Sequence, residues 1–308
     1  MARALESVAM SKLPDSVEWE VLVVDNNSRD QTRAVVEEFC RQHPGRFRYL
    51  FEAQQGLSQA RNSGIREAHG EILAFLDDDV TVEPTWLQNL TASLQDSEWA
   101  GAGGRILPER GFSPPRWLSI DGPYAMGGVL ALFDRGGKAG ELDWAPFGTN
   151  MAFRMSMFEK YGGFRTDLGR CGDHLMSGED TEFGRRLVSA KERLRYEPSA
   201  VVYHPVPKNR LRKEYFLAWY FGFGRSLVRE SGRGPDIWGI PRPYFSILKT
   251  GSTALAPLML RWMLALKPPK KFFYKALVWR TAGEIVEMYR LARQPDEAIS
   301  TIPNRDAT

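Results

Sequence analysis

Through roughly the first two thirds of the chain, short apolar runs alternate with stretches whose apolar residues recur at helical spacing. Residues 21–24, Val-Leu-Val-Val, form a β-branched run closed by Asp25-Asn26-Asn27-Ser28, which predicts a buried strand followed by a turn. Val35, Val36 and Phe39 then share a helical face that closes near Pro44-Gly45. Residues 47–51 predict a second strand, 57–68 a helix, and the almost wholly apolar 71–76 a third strand. Pro84 starts another helix with Trp86, Leu87 and Leu90 inward. Such alternation implies parallel strands joined by crossover helices, so the expected fold is α/β, a mixed but mainly parallel Rossmann-like sheet flanked by helices.

From 105 to 146 Gly and Pro are dense, and irregular excursions are expected there. Ser177 with Asp180 three positions on reads as a capping box opening a helix with Phe183, Leu187, Val188 and Leu194 inward. A further apolar run ends at His204. Beyond Pro207 the alternation stops, so two domains are expected, residues 1–206 and a basic, aromatic, helical region 207–308.

Composition narrows the picture. With 308 residues, 43% hydrophobic and 26% charged, the chain can bury a full core without disulfide or structural metal. Cys40 and Cys171 are its two cysteines, with no CxxC and no His/Cys cluster; this excludes a disulfide scaffold and a cysteine zinc site and fits a reducing compartment. The first residues show no basic-then-apolar leader pattern, and the apolar stretch 251–266 is broken by Pro257 and Arg261. A soluble chain in the cytoplasm, peripheral at the cytoplasmic face of a membrane, is the expectation. The net charge of +3 conceals an asymmetry: residues 208–280 hold fifteen Lys/Arg against Glu214, Glu230 and Asp236, a local +12. Fourteen of the 36 aromatics lie there too, Trp219, Trp238, Trp262 and Trp279 among them. Bases interleaved with aromatics suit an anionic membrane surface, for instance through Tyr215, Phe216, Trp219, Tyr220 and Phe223. A helical subdomain with its aromatics packed inward fits the same pattern.

Four groups of residues carry candidate chemistry. Asp77-Asp78-Asp79 ends a buried strand, where open sheets bind ligands, and three clustered carboxylates favour a hard divalent ion such as Mn²⁺ or Mg²⁺ shared with a phosphate. An acidic turn capping the next helix is the other reading. In Gly178-Glu179-Asp180 a helix N-terminus would keep a carboxylate ionised and ready to accept a proton, although such residues also serve as plain caps. His204 is raised above an ordinary structural histidine by its place at a strand end. Arg61, one turn into a helix, can fork onto phosphate or base oxygens. No GxGxxG and no P-loop occurs.

In this order, six segments resemble the inverting family 2 glycosyltransferases of the GT-A fold. They are Val23-Val24-Asp25-Asn26-Asn27-Ser28, Gly56-Leu57-Ser58 through Gly64, Gly70-Glu71 through Asp79, Gly148-Thr149-Asn150-Met151, Gly178-Glu179-Asp180 and Tyr203-His204. The resemblance covers about residues 1–206. It implies metal-dependent transfer of a sugar, with inversion, from a nucleotide diphosphate sugar (a UDP-sugar favoured) to a sugar or lipid-linked acceptor hydroxyl in cell-envelope glycan synthesis. By the same resemblance Asp180 is the catalytic base, and Asp79 and Asp77 with His204 hold Mn²⁺ or Mg²⁺. Asp25, Asn27, Arg61, Asp77, Asp78, Asn150 and Glu179 bind the donor.

Family members ordinarily open with an apolar strand and its loop, whereas residues 1–13 read as the helix that follows them. The first strand is thus expected to be missing, with about thirty residues upstream of Met1. Two further readings compete: a catalytically impaired relative that binds nucleotide sugars, and a nucleic-acid binder acting through the +12 segment. The motifs rank both below the enzyme, and no nucleic acid partner is expected.

Overall fold

The computed structural model describes residues 1–172, 177–232, 234 and 240–293. The chain divides into two compact units after Arg212. The expected boundary at 206 falls earlier than this, because the 3-10 turn Lys208–Arg210 belongs with the first unit.

The first unit opens with α1 (Ala2–Ala9), which buries Leu5 and Val8 and stops well short of the expected Leu13. Then follow β1 (Val21–Asp25), α2 (Thr32–Gln42), β2 (Phe47–Phe51), α3 (Leu57–Glu67) and β3 (Ile72–Leu76). These agree closely with the hydrophobic pattern. After the short β4 (Thr81–Val82), α4 (Trp86–Ala92) buries Trp86 and Leu90. β5 (Trp99–Pro108) comes next and corrects the expectation that regular structure lapses at 105. The remaining elements are β6 (Gly140–Leu142), β7 (Asn150–Arg154), α5 (Met155–Tyr161), α6 (Glu179–Ser189) and β8 (Arg193–His204).

β1 and β2 pair in parallel, and among the described residues β1 has no other strand partner. The larger sheet runs β3-β7-β5-β8-β4, with β6 also on β8. Its longest ladder, β5 with β8, is parallel; β7 pairs antiparallel with both β3 and β5, as do β4 and β6 with β8. The sheet is therefore mixed. β5 escaped the sequence reading because Ala100-Gly101-Ala102-Gly103-Gly104 offers no β-branched side chain. Neighbours explain the composition: a Cβ at Gly104 would strike the Ala200 carbonyl, and one at Gly103 would strike Pro146. The register of β5 against β8 slips between Gly104 and Arg105, where Pro198, Ser199 and Ala200 leave the ladder.

Leu194, expected on the helix that follows Ser177, lies fully buried in β8 instead. That helix, α6, is capped by Gly178 at φ 107 rather than by a Ser177–Asp180 box. It buries Phe183, which stacks on Phe158 at 4.8 Å and meets Phe153 edge-on at 5.0 Å. This aromatic cluster holds α5 and α6 against β7 and makes a firm platform under the strand ends.

The second unit consists of α7 (Lys213–Ser231), α8 (Arg242–Thr250), a π-helical turn Gly251–Leu255, α9 (Ala256–Leu264) and α10 (Pro268–Ala292). α7 and α10 approach so closely that a Cβ at Gly224 would strike the Arg280 carbonyl. Glu287, fully buried on α10, accepts from Arg225 Nε at 2.9 Å and from Arg229 and Arg290 Nε at 2.7 Å. Phe216 is buried, Trp219 stacks on Phe223 at 5.1 Å, and burial pushes the Tyr220 phenol up to about 12. Of the α7 aromatics expected to form a surface stripe, Phe216 is thus buried, while Tyr215, Trp219, Tyr220 and Phe223 are half-buried. Trp238 lies outside the described residues. No helix among the described residues is long and apolar enough to cross a membrane.

Candidate active site

Sheet register assembles the acidic centre. Beyond the antiparallel pair Thr81–Tyr203, the next step sets Val80 opposite His204, which brings Asp79 to the imidazole. His204 Nε2 lies 3.7 Å from Asp79 Oδ1. One ligand atom from each of Asp77, Asp79 and His204 lies within 4.8 Å of the others. His204 is 2% exposed and Asp79 37%, so the cluster opens to solvent on its carboxylate side. Asp78, between the two acids, is exposed.

The electrostatics suit a cation. Burial raises the Asp79 carboxyl above its ordinary value; Asp77 and Asp78 add to this, against the opposing pull of His204 and Arg210. Burial lowers His204, helped by Arg210 and Arg170, while Asp79 and Asp77 pull the other way. A neutral imidazole is thereby ready as a ligand. Asp79 Oδ1 and His204 Nδ1 are buried without a hydrogen-bond partner among the described residues. Two carboxylates and an imidazole, with an orphaned carboxylate oxygen among them, fit Mn²⁺ or Mg²⁺.

A second acid is tied to the first through one loop. One step beyond the pair Leu76–Asn150, the β3–β7 register sets Asp77 opposite Thr149. Thr149 Oγ1 donates to Asp77 Oδ2 at 2.7 Å, and the adjoining Gly148 N–H donates to Asp180 Oδ2 at 2.9 Å. Asp180 Oδ1 accepts from Thr181 N–H at 2.7 Å. Gly148 must be glycine, since a Cβ there would collide with the Arg61 guanidinium. The Thr149 hydroxyl was not singled out in the sequence; only its position just before a strand that pairs with β3 could have marked it. Arg210, near both Asp79 and His204, was missed because it follows the strand pattern rather than belonging to it.

Arg61 is 9% exposed, with Nη1 on Glu179 Oε1 at 2.6 Å, Nη2 3.9 Å from Asp77 Oδ1, and its plane over Phe164. Burial works against its charge, but Glu179, Asp77 and Asp180 outweigh it and the guanidinium holds its proton more firmly than usual. Burial and Asp180 push the Glu179 carboxyl up while Arg61 pulls it down. The pair sits behind the acids, and its polar atoms are committed there rather than to open solvent.

At the end of β1, Asp25 Oδ1 accepts from Ser28 N–H at 2.9 Å and Oδ2 from Tyr49 Oη at 2.8 Å. Burial alone would raise this carboxyl, but the bonds from Ser28 and Tyr49 bring it below its ordinary value. Asn27 is exposed in the same loop at φ 62, a conformation that asparagine tolerates. Asn26, which the sequence reading passed over, ties the loop down: its Nδ2 donates to the Gln54 carbonyl at 2.7 Å and its Oδ1 accepts from Gly56 N–H at 2.7 Å.

Asn150 opens β7. It is wholly buried, Nδ2 donates to the Arg105 and Ala200 carbonyls at 2.9 Å each, and Oδ1 accepts from Trp86 Nε1 at 2.9 Å. With these bonds to β5, β8 and α4, the side chain ties three elements of the core together.

Comparison with known proteins establishes the fold and the family. A mannosyltransferase from Pyrobaculum calidifontis, solved with GDP-Man and Mn²⁺, superposes with a TM-score of 0.60 over 93% of this chain and 82% of that one, at 18% identity. The fold is GT-A, the architecture of a large class of glycosyltransferases. Residues 1–162 match the pattern described as Glycosyl transferase family 2, and the chain belongs to that family. The succinoglycan biosynthesis protein ExoM of Rhizobium meliloti is 30% identical over 245 residues, 78% of this chain and 75% of that protein. The glucosyl-dolichyl phosphate glucuronosyltransferase of Haloferax volcanii is 26% identical over 213 residues, 68% of this chain and 66% of that one. The protein is a glycosyltransferase.

Proposed function

We propose that this glycosyltransferase moves a sugar from a nucleotide diphosphate sugar to an acceptor hydroxyl with inversion at the anomeric carbon. The acceptor is a growing glycan or a lipid-linked sugar of the cell envelope, as the names of the two relatives suggest. A lipid-linked acceptor presents its hydroxyl at a bilayer, so the enzyme works as a peripheral protein on the cytoplasmic side.

The supporting observation is the Gly148-Thr149 loop, whose adjacent residues grip Asp180 and Asp77 and so hold two acids in fixed relation. Asp79, Asp77 and His204 would hold Mn²⁺ or Mg²⁺, which supplies charge neutralisation to a departing diphosphate. Arg210 and Arg170 add positive charge on the His204 side. Asp180 takes the proton as the acceptor oxygen bonds to the anomeric carbon. The bond from that carbon to the diphosphate oxygen breaks, and the nucleoside diphosphate leaves with its electron pair. Asp25, Asn27 and Asp78 face the nucleoside, whereas Arg61 and Glu179 act as positioning residues behind the carboxylates.

Thermal shift with UDP- and GDP-sugars, with and without Mn²⁺, tests this reading. Stabilisation should require both donor and metal, vanish in Asp79→Ala and persist in Asp180→Asn, which should instead lose turnover. Metal-independent stabilisation in Asp79→Ala would overturn the assignment.

A further inference from the structure

The second unit carries an apolar face that the aromatic pattern did not reveal. α9 buries no residue, and its i,i+4 pairs Leu260/Leu264 and Met259/Met263 are exposed. Leu264 is 70% exposed and Leu266, just past the helix, 93%; on α8, Leu248 is 76% exposed. Folding has left these aliphatic side chains in water, whereas the α7 aromatics are buried or half-buried. A patch of this kind on a folded surface marks an interaction site.

Charge selects the occupant. Residues 240–283 contain eight Lys/Arg and no acidic residue. Lys249, Arg261, Lys267 and Lys271 are exposed along the same two helices and the start of α10. A second copy of this chain would bring the same bases to the interface and be repelled. Single-stranded nucleic acid stacks on aromatic planes, whereas the exposed set here is led by leucine and methionine. An aliphatic centre with a basic rim is the chemistry that enters an anionic bilayer: the aliphatics reach the acyl boundary while the bases meet the head groups.

We infer that α8, the π turn and α9 form the face by which this protein docks on an anionic membrane surface. The inference rests on the peripheral reading given above and identifies the surface responsible. The π turn Gly251–Leu255 joins the helices without a break, so one continuous rod lies along the interface.

Co-sedimentation of the full chain with vesicles of phosphatidylcholine, alone or with phosphatidylglycerol, tests it. The native protein should bind only the anionic vesicles, and less as salt rises. Leu260→Glu/Leu264→Glu should lower the partition coefficient by about tenfold or more. Lys249→Glu/Lys267→Glu should do likewise, at about fivefold per base. The Lys12→Glu/Lys138→Glu pair, which belongs to the first unit, should leave binding unchanged. A retained metal-dependent thermal shift with donor certifies that each variant is folded. Undiminished binding by the first two pairs would overturn this face while leaving the peripheral reading intact. If the native protein ignored anionic vesicles, the peripheral reading would fall with it. Equal binding to single-stranded RNA, lost in the lysine pair but not in the leucine pair, would assign the bases to nucleic acid and overturn the inference.

Discussion

Replacing Thr149 by valine removes one hydroxyl and keeps the branched shape. Thr149 is buried, and its hydroxyl donates to the Asp77 carboxylate at 2.7 Å. A hydrogen bond to a charged group contributes about 1.5–3 kcal/mol. Asp77 is one-third exposed, and water can replace the lost donor, which reduces the stability cost to about 1 kcal/mol. The functional cost should be larger in proportion, because among the described residues the remaining ion pair of Asp77 is with Arg61, 3.9 Å away. Groups that orient a metal ligand from behind typically change metal affinity or activity by about 10- to 100-fold. Mn²⁺ titration of the initial rate at saturating donor should therefore show the half-saturating concentration rising by that factor in Thr149→Val. Thr149→Ser, which restores the hydroxyl, should recover most of it. Native metal dependence in the valine variant, or a serine variant no better than valine, would refute the coupling of this loop to the acidic centre.

Two further outcomes follow from the buried charges. Arg61→Met leaves Glu179 buried without its partner and should cost about 3–5 kcal/mol in thermal denaturation, most of it recovered in Arg61→Met/Glu179→Met; a double variant as unstable as the single one would mean that the lost packing, not the stranded charge, dominates. Asp25 titrates below its ordinary 3.8 in the folded chain, so its stabilisation is complete above that pH and lost as pH falls through the folded value. Tyr49→Phe removes one of its donors, so the melting difference between native and variant protein should be constant above pH 3.8 and shrink below it. A difference that persisted undiminished in acid would assign Tyr49 to packing alone.

The features that local pattern did not show share a physical origin. Phe216, Trp219, Tyr220 and Phe223 repeat at helical spacing, yet Phe216 is buried and the other three half-buried, a split that periodicity alone cannot show. Asn150 stood in a recognisable motif, yet its amide is consumed by carbonyls of two other strands, a fact that depends on how those strands align. β5 was invisible because close packing against Ala200 and Pro146 demands glycine, the residue that local propensity assigns to loops.

Local features were legible along the chain: the spans of β1, β2 and β3, the inward faces of α4 and α6, and the acidic tripeptide at a strand end. Those follow from side-chain period and turn chemistry over a few residues. The chain also carried, through the order of its motifs, the family and hence the fold. Tertiary structure alone decided which residues meet. Asp79 reaches His204, 125 positions away, because β4 runs antiparallel to β8 in one register, and Thr149 reaches Asp77 because β7 does so with β3. A slip of one residue in either ladder would turn those side chains to the opposite face. Register is a property of the packed sheet, set by side chains from distant segments competing for one core, and no window along the chain contains it.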